Sequence, residues 1–507
     1  MALAGLLAAS AVVSPPYRGP DESQHVDLVL AVAEGKDPLW EPRSGRSHRG
    51  VAEAGIAPGG RLAERQHLAD SVPEHRPATF DELGLDEVVG PNQLTQHPPG
   101  YYLLMAGVLQ LVPDWQQQDT WAVLMALRLT GALLLVPLPL LAALTARRLT
   151  GDPVVPAAAA WSVVAVPQIP TIGSSVNNDN LLVLACAAFV ALGVRVCGGE
   201  VRWRTTLLGG AALGVGLAAK GLALAFVPLL GLAFLVAVLR GAPLVRAVVH
   251  AGAGYVVALA LGGWWWVRNV VLYGQVQPAG VELSTAAVRG WAEGGAQWLE
   301  NFVWYVNARF WFASSSGEVT PVAGALAVVA GVAAVVLTAV GVVALARRGR
   351  ADLATAVFLL LPVLLLAGVL ATGSWQAFTT GRDQPALQGR YLFGGLTAWA
   401  ALAALAWVRL WGPRARPALL VVLGWAALCQ SVAFGAALRD LWLRRDGSVP
   451  GTVDAMLGLP GAPVAVVLGA LGVAAGVVAV LGTVRGHGFA ERDAGSDGPP
   501  GPVTVRT

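Results

Sequence analysis

"GLALAFVPLLGLAFLVAVLRGAPLVRAVVHAGAGYVVALALGGWWWVRNVVLYG", residues 221–274, decides the fold. Two apolar blocks, 221–239 and 247–272, flank a short break that carries Arg240 and Arg246. About 20 apolar residues at 1.5 Å rise span a ~30 Å hydrocarbon core. The second block closes on Trp264, Trp265 and Trp266, residues suited to the membrane–water interface.

The same alternation runs along the chain. It predicts spans at 1–16, 120–146, 153–172, 181–196, 205–219, 221–239, 247–272, 320–345, 351–371, 391–411, 417–437 and 462–484. Of 507 residues, 55% are hydrophobic and 13% charged, against about 25% charged in an average soluble domain. Period-2 alternation is absent, which removes a closed barrel. The fold class is all-α: a polytopic membrane protein of about twelve spans. "MALAGLLAASAVV", residues 1–13, has no basic flank and reads as the first span rather than a signal peptide. A net charge of +3 gives no argument for nucleic acid. Cys186, Cys197 and Cys429 lack metal-ligand spacing and read as small buried hydrophobes.

The stretch 98–113, "PPGYYLLMAGVLQLVP", reads as a short span or as an interfacial or re-entrant helix. Arginine placement decides. With 98–113 not crossing and the N-terminus inside, Arg147, Arg148, Arg195, Arg202, Arg204, Arg240, Arg246, Arg347, Arg348, Arg350, Arg414, Arg416 and Arg485 all fall in the cytoplasm. "RDLWLRRD", residues 439–446, is the exception. Residues 1–484 then form one transmembrane unit with outer loops at 17–119, 173–180, 273–319, 372–390 and 438–461. The Gly/Pro-rich tail 485–507 reads as disordered and cytoplasmic.

The outer loops hold the polar residues that need explaining. Asp21 and Glu22 follow the first span; they read as a solvated helix N-terminus or as a carboxylate able to take a hydroxyl proton. His97 precedes Pro98 and Pro99, with Tyr101 and Tyr102 next, as in an interface anchor that leaves the histidine unexplained. Asp179 lies in the polar turn "SSVNNDN", residues 174–180, where turn chemistry alone is one reading and a functional acid the other. Lys220 interrupts an apolar run, either as a functional intramembrane cation or as a turn residue. Arg268 and Asn269 sit at the end of the tryptophan belt, where an arginine suits a phosphate or snorkels to lipid headgroups. "GRDQPALQGRYLF", residues 381–393, brings Arg382, Asp383, Gln388, Arg390 and Tyr391 to the same side. Basic residues at outer helix ends run against the positive-inside bias, which favours a shared anionic ligand.

In this order, "HPPGYYLL", "RLTGALLL", "NNDN", the lysine, "RNVVLYG" and "QGRYLF" resemble the GT-C superfamily of polyprenyl-phosphate-sugar glycosyltransferases, including protein O-mannosyltransferases and aminoarabinose transferases. Within it, the chain is similar to a bacterial family of predicted membrane proteins with a "PPDE…H" opening and a late "QGRYL". The resemblance runs from about residue 14 to 411 and rests on the order of the motifs. It implies juxtamembrane helices in the first outer loop and a plasma-membrane location. It implies Asp21, or alternatively Glu22, as catalytic base, and Arg268 and Arg390 on the lipid phosphate. The implied partners are a polyprenyl-phosphate sugar, an acceptor hydroxyl and membrane lipid. Some members use a divalent metal and others none; beyond Asp21, Glu22 and Asp179 this chain shows no evident acid cluster, so no cofactor is expected. A transporter or lipid flippase fits the bare topology equally well, but polar groups gathered at one face, without an internal repeat, fit it less well.

Overall fold

The computed structural model describes residues 1–37, 39, 78–84, 92–278, 294–313, 319–380, 387–441, 456–459 and 461–494. Arg382 and Asp383 lie outside them. Every regular element among the described residues is helical; the one β-type contact is an isolated bridge between Thr79 and Asp119.

The chain opens with α1 (Ala2–Val13). This helix stops at Ser14, held extended at ψ 114° by the proline that follows. Then come α2 (Glu22–Ala33), the single turn α3 (Phe80–Leu83) and α4 (Gly100–Leu109). The ten residues of α4 rise about 15 Å, half of a hydrocarbon core. Next are α5 (Thr120–Leu135) and α6 (Leu138–Ala146), then α7 (Val154–Val164) and α8 (Gln168–Gly173). They lead to α9 (Asp179–Cys197) and α10 (Trp203–Ala219). A 3-10 segment at Gly221–Phe226 enters α11 (Val227–Leu239), and a π-turn at Leu259–Gly263 joins α12 (Leu244–Ala258) to α13 (Trp264–Tyr273). The rest is α14 (Gly295–Trp311), α15 (Pro321–Ala346), α16 (Arg350–Thr380), a 3-10 segment at Gly389–Gly395, α17 (Leu396–Trp411), α18 (Ala415–Leu441) and α19 (Ala462–Ala494).

Among the described residues, eight stretches are long and apolar enough to cross a bilayer, and one of them, Gly389–Arg439, contains α17 and nearly all of α18. The apolar helices α1, α4 and α7 are shorter. The expected count of about twelve spans is therefore not confirmed. The block expected at 153–172 is interrupted at Pro167, between α7 and α8, and the block at 1–16 is helical only over 2–13. Hydropathy does not register such breaks, because proline and small residues keep the window apolar.

The most enclosed span is α9: 78% of its apolar window is buried, against 11–44% in the other seven. It is the axis of the bundle, and its first residue is Asp179. Around it the chain runs back and forth. At one end of α9, Glu200 accepts hydrogen bonds from Arg195 and Thr205 and lies 3.5 Å from Arg148. On that side Arg240 pairs with Asp352, and Arg348 donates to the Leu149 carbonyl at 2.6 Å. The other end of α9 gathers the end of α1, the start of α2, the end of α10 and the segment before α17.

Candidate active site

The site is built where four chain reversals meet. The turn after α1 is tight: Tyr17 and Asp21 have φ of 59° and 56°, left-handed values uncommon for non-glycine residues. Asp21 is the N-cap of α2 yet makes no capping hydrogen bond, although aspartate is among the best capping residues. Its carboxylate turns elsewhere. Oδ2 accepts from Arg390 Nη2 at 2.9 Å and Oδ1 from Gln93 Nε2 at 3.2 Å. Its side chain keeps 35% of its exposure.

Glu22 points the other way, into the protein. Arg128 of α5 grips it with Nε to Oε1 at 2.8 Å and Nη2 to Oε2 at 2.6 Å. Backbone N–H groups of Gly19 and Val176 donate to it as well, at 3.1 and 3.0 Å. Two adjacent acids thus have different surroundings, one open and one fully enclosed.

The loop 174–180 fixes the distances between the turns. Asn177 donates from Nδ2 to the Pro20 carbonyl at 3.3 Å, one residue before Asp21. Asn178 donates from Nδ2 to the Ala219 carbonyl at 3.2 Å, one residue before Lys220. Asp179 itself accepts from Lys220 Nζ at 2.6 Å through Oδ1, and its Oδ2 lies 3.5 Å from Arg390 Nε. Lys220 adopts extended backbone, φ −163° and ψ 150°, at the end of α10, which aims the side chain across the site. The Tyr391 ring lies beneath both cations, with centroid distances of 4.6 Å to Lys220 Nζ and 5.4 Å to Arg390 Cζ. Arg390 stands on the 3-10 segment, which runs close against α14: a Cβ on Gly389 would overlap the backbone of Val306 and Phe310. Gln388 caps that segment and accepts from the Tyr391 N–H through its carbonyl.

Asp21, Asp179, Lys220 and Arg390 therefore form one cluster of two carboxylates and two cations. Lys220, Arg390 and Asp179 are 8%, 4% and 2% exposed by side chain. Nε and Nη1 of Arg390 are buried and meet no hydrogen-bond acceptor among the described residues. Buried arginine donors are normally bonded, so these two are candidates for an anion.

A row of aromatics forms one wall. His25 of α2 lies 3.1 Å from the Tyr102 hydroxyl through Nδ1 and stacks on that ring at 5.9 Å. It meets Tyr101 edge-on at 6.2 Å. Tyr101 and Tyr102 are fully buried beside His25 and are not exposed as an interface anchor would be. Burial, reinforced by Lys220 nearby, pushes the His97 imidazole down to about 3. The same two causes, in the same order, hold His25 well below the ordinary histidine range. Both histidines are neutral at physiological pH.

Arg268 and Asn269 stand apart. Arg268 packs over the Trp265 and Tyr273 rings at 4.9 and 5.8 Å and donates to the Leu39 carbonyl at 3.4 Å. Asn269 donates to the Val276 carbonyl at 3.2 Å. No polar contact among the described residues ties them to Arg390. Of the residues picked out in sequence, the structure joins Asp21, Asp179, Lys220, Arg390 and Tyr391, lines them with His97 and Tyr101, and leaves Arg268 and Asn269 to one side. Sequence reading gave no role to Arg128, His25, Gln93, Asn177 or Asn178, although all but Gln93 stand in the motifs that carry the resemblance. Arg128 had a signal, a lone arginine inside an apolar helix. Among the described residues, no three His, Cys, Asp or Glu side chains group to hold a metal ion.

The fold and the site define a polytopic helical membrane protein with a charged cluster at one end of its bundle. Residues 4–398 match the family described as "Predicted membrane protein (DUF2142)", and the chain belongs to that family. No curated protein matches it. The chain is similar to the crystal structure of ArnT from Cupriavidus metallidurans in the apo state, at 17% identity and a TM-score of 0.44 over 90% of this chain and 75% of that one. It is similar to the same protein bound to undecaprenyl phosphate, at 15% identity and 0.46 over 93% and 77%. It is also similar to the apo oligosaccharyltransferase of Archaeoglobus fulgidus, at 14% identity and 0.36 over 86% and 56%.

Proposed function

We propose that the chain is a glycosyltransferase of the GT-C type, moving a sugar from a polyprenyl phosphate to an acceptor hydroxyl with inversion. The observation that carries this reading is the pairing of two buried cations, Lys220 and Arg390, with a half-open carboxylate, Asp21, at a helix end. The arginine-rich opposite end of the bundle supports an orientation with that end in the cytoplasm and the site on the extracytoplasmic side. The order of motifs from Asp21 to Tyr391 adds its resemblance to that superfamily.

In this reading Arg390 and Lys220 bind the donor phosphate, and Asp179 positions them. The acceptor oxygen bonds to the anomeric carbon as the bond from that carbon to the phosphate oxygen breaks. The electron pair leaves with the phosphate, the hydroxyl proton passes to Asp21, and nothing is oxidised or reduced. The cations offset charge growing on the leaving phosphate, and the base contributes in the usual way. Glu22, closed off by four hydrogen bonds, supports the turn instead. Arg268, Asn269 and Gln388, outside the charged cluster, are assigned in this reading to the approach of the donor or the acceptor.

The test is transfer of labelled sugar from synthetic polyprenyl-phosphate sugars by the purified chain in lipid. Release of polyprenyl phosphate coupled to glycoside formation supports the reading. Movement of the lipid across the bilayer without sugar transfer would place the chain among flippases.

A further inference from the structure

The Asp21–Arg390 contact raises a conflict inside the proposed site. Arg390 Nη2 donates to the carboxylate that is to act as base, at 2.9 Å. A lone pair engaged by a guanidinium is not directed at an acceptor hydroxyl. Nε and Nη1 of the same guanidinium are buried without a hydrogen bond, Nε lying 3.5 Å from Asp179 Oδ2. Arg390 thus stands between two carboxylates, the buried Asp179 at 3.5 Å and Asp21, which hydrogen-bonds it at 2.9 Å and is the one of the two that remains open to solvent.

Resting on the glycosyltransferase reading, we propose that the lipid phosphate and Asp21 compete for Arg390, so that donor binding itself releases the base. The charges support this. Lys220, Arg390, Asp21 and Asp179 sum to zero. With Asp21 turned away, Lys220, Arg390 and Asp179 leave one positive charge, which matches the single negative charge of a sugar phosphodiester. Asp179 cannot be the carboxylate displaced: it is 2% exposed and held by Lys220 at 2.6 Å. Asp21 is 35% exposed, held by one arginine and one glutamine, and sits on left-handed backbone without a capping bond. It is the member of the cluster with the fewest restraints. After transfer the leaving phosphate gains a second charge and the protonated Asp21 is neutral. Once Asp21 gives that proton to water, it competes for Arg390 again and favours product release. The donor therefore binds before the acceptor is activated, and the base stays masked in the empty enzyme.

The experiment is binding of farnesyl phosphate to the full chain in detergent, with farnesol as the uncharged control and a melting curve for each variant. Asp21→Asn should tighten binding by about fivefold, the loss of one partly exposed competing ion pair. In an Arg390→Gln background the same substitution should change affinity less than twofold, because nothing is left to compete for. Equal or weaker binding by Asp21→Asn overturns the proposal. So does equal tightening in both backgrounds, which would reflect a general loss of negative charge. An infrared difference spectrum of the wild-type chain gives a second measure should Arg390→Gln not fold. Farnesyl phosphate should shift a carboxylate band that Asp21→Asn deletes, and an unshifted band overturns the proposal. Wild-type binding without these effects leaves the glycosyltransferase reading standing. No binding of farnesyl phosphate by a folded wild-type chain removes both.

Discussion

Arg128 and Glu22 meet fork to fork inside the protein, with side-chain exposures of 1% and 0%. All five N–H donors of Arg128 are used. Two reach Glu22, and three reach the carbonyls of Ala11, Ser14 and Pro15. A bidentate pair of this kind is rigid as well as strong. It fastens the end of α1 and the first turn of α2 to α5, and it fixes the backbone on which Asp21 stands. Its neighbour's exposure depends on this burial: the chain can present Asp21 outward because Glu22 is locked inward.

The first prediction follows. Arg128→Ala leaves the Glu22 carboxylate buried without its partner, at a cost of about 3–5 kcal/mol. Arg128→Lys should recover little, because an ammonium cannot serve a fork and three carbonyls together. The double variant Arg128→Met, Glu22→Gln should melt higher than Arg128→Ala. Melting in detergent checks this, and a wild-type melting temperature for Arg128→Ala would show that the pair is dispensable.

The second prediction concerns the cations. Arg390→Ala and Lys220→Ala should each weaken farnesyl phosphate binding by tenfold or more, about 1.4 kcal/mol or above. Arg268→Ala should weaken it less, since Arg268 lies over Trp265 and Tyr273 rather than in the cluster. A larger loss from Arg268→Ala than from Arg390→Ala would move the phosphate site to the tryptophan belt.

Much of the helix plan and the identity of the charged residues was legible in sequence, because both depend on local features. Apolar blocks report their own burial, and a lysine at 220 or an arginine at 390 stands out against them. The pairing was not legible. Asp21 and Arg390 are 369 residues apart and Arg128 and Glu22 are 106 apart, and no periodicity carries a partner's identity over that distance. The asparagines of 174–180 show the same limit. Turn chemistry explains an Asn-rich loop adequately, so nothing in the sequence says that Asn177 and Asn178 hold the residues before Asp21 and Lys220. The tyrosines show a related limit: an aromatic pair beside a membrane helix suits the interface as well as a substrate site, and only the packing of α2 against α4 shows that both are buried.

The third prediction is a pH dependence. His97 titrates near 3 in the folded chain, and His25 is also lowered; both return to about 6.5 on unfolding. The unfolded chain therefore binds more protons below pH 6.5, and stability falls with pH in that range. The stability is complete above 6.5 and is lost between 6.5 and about 3 for His97, by up to about 1.4 kcal/mol per pH unit for each histidine. His97→Gln should flatten the slope of melting temperature against pH between 6.5 and 4. An unchanged slope in both His97→Gln and His25→Gln would assign the loss to other groups.

The fourth prediction is sidedness. A cysteine at Ala296, exposed at the start of α14, should react with an impermeant thiol reagent from the extracytoplasmic side. A cysteine at Arg347, exposed at the end of α15, should react only after the membrane is opened. The native cysteines are buried and give little background. The reverse pattern would put the charged cluster in the cytoplasm and exclude an acceptor from outside.

The last prediction separates the two adjacent acids. Asparagine tolerates left-handed backbone, so Asp21→Asn should keep the turn at φ 56° and the hydrogen bond from Gln93. What it loses is a proton acceptor. Sugar transfer should fall by about 10²–10⁴-fold while farnesyl phosphate binds more tightly than to the wild type. Loss of turnover with gain of affinity is not produced by misfolding, which lowers both. Glu22→Gln should behave in the opposite sense. It breaks the grip of Arg128 and lowers the melting temperature, and whatever fraction remains folded keeps its base. Transfer assays, farnesyl phosphate titrations and melting curves on the two variants side by side provide the check. Full transfer by Asp21→Asn, with a folded and inactive Glu22→Gln, would pass the role of base to Glu22 and require the Arg128 pair to open during turnover.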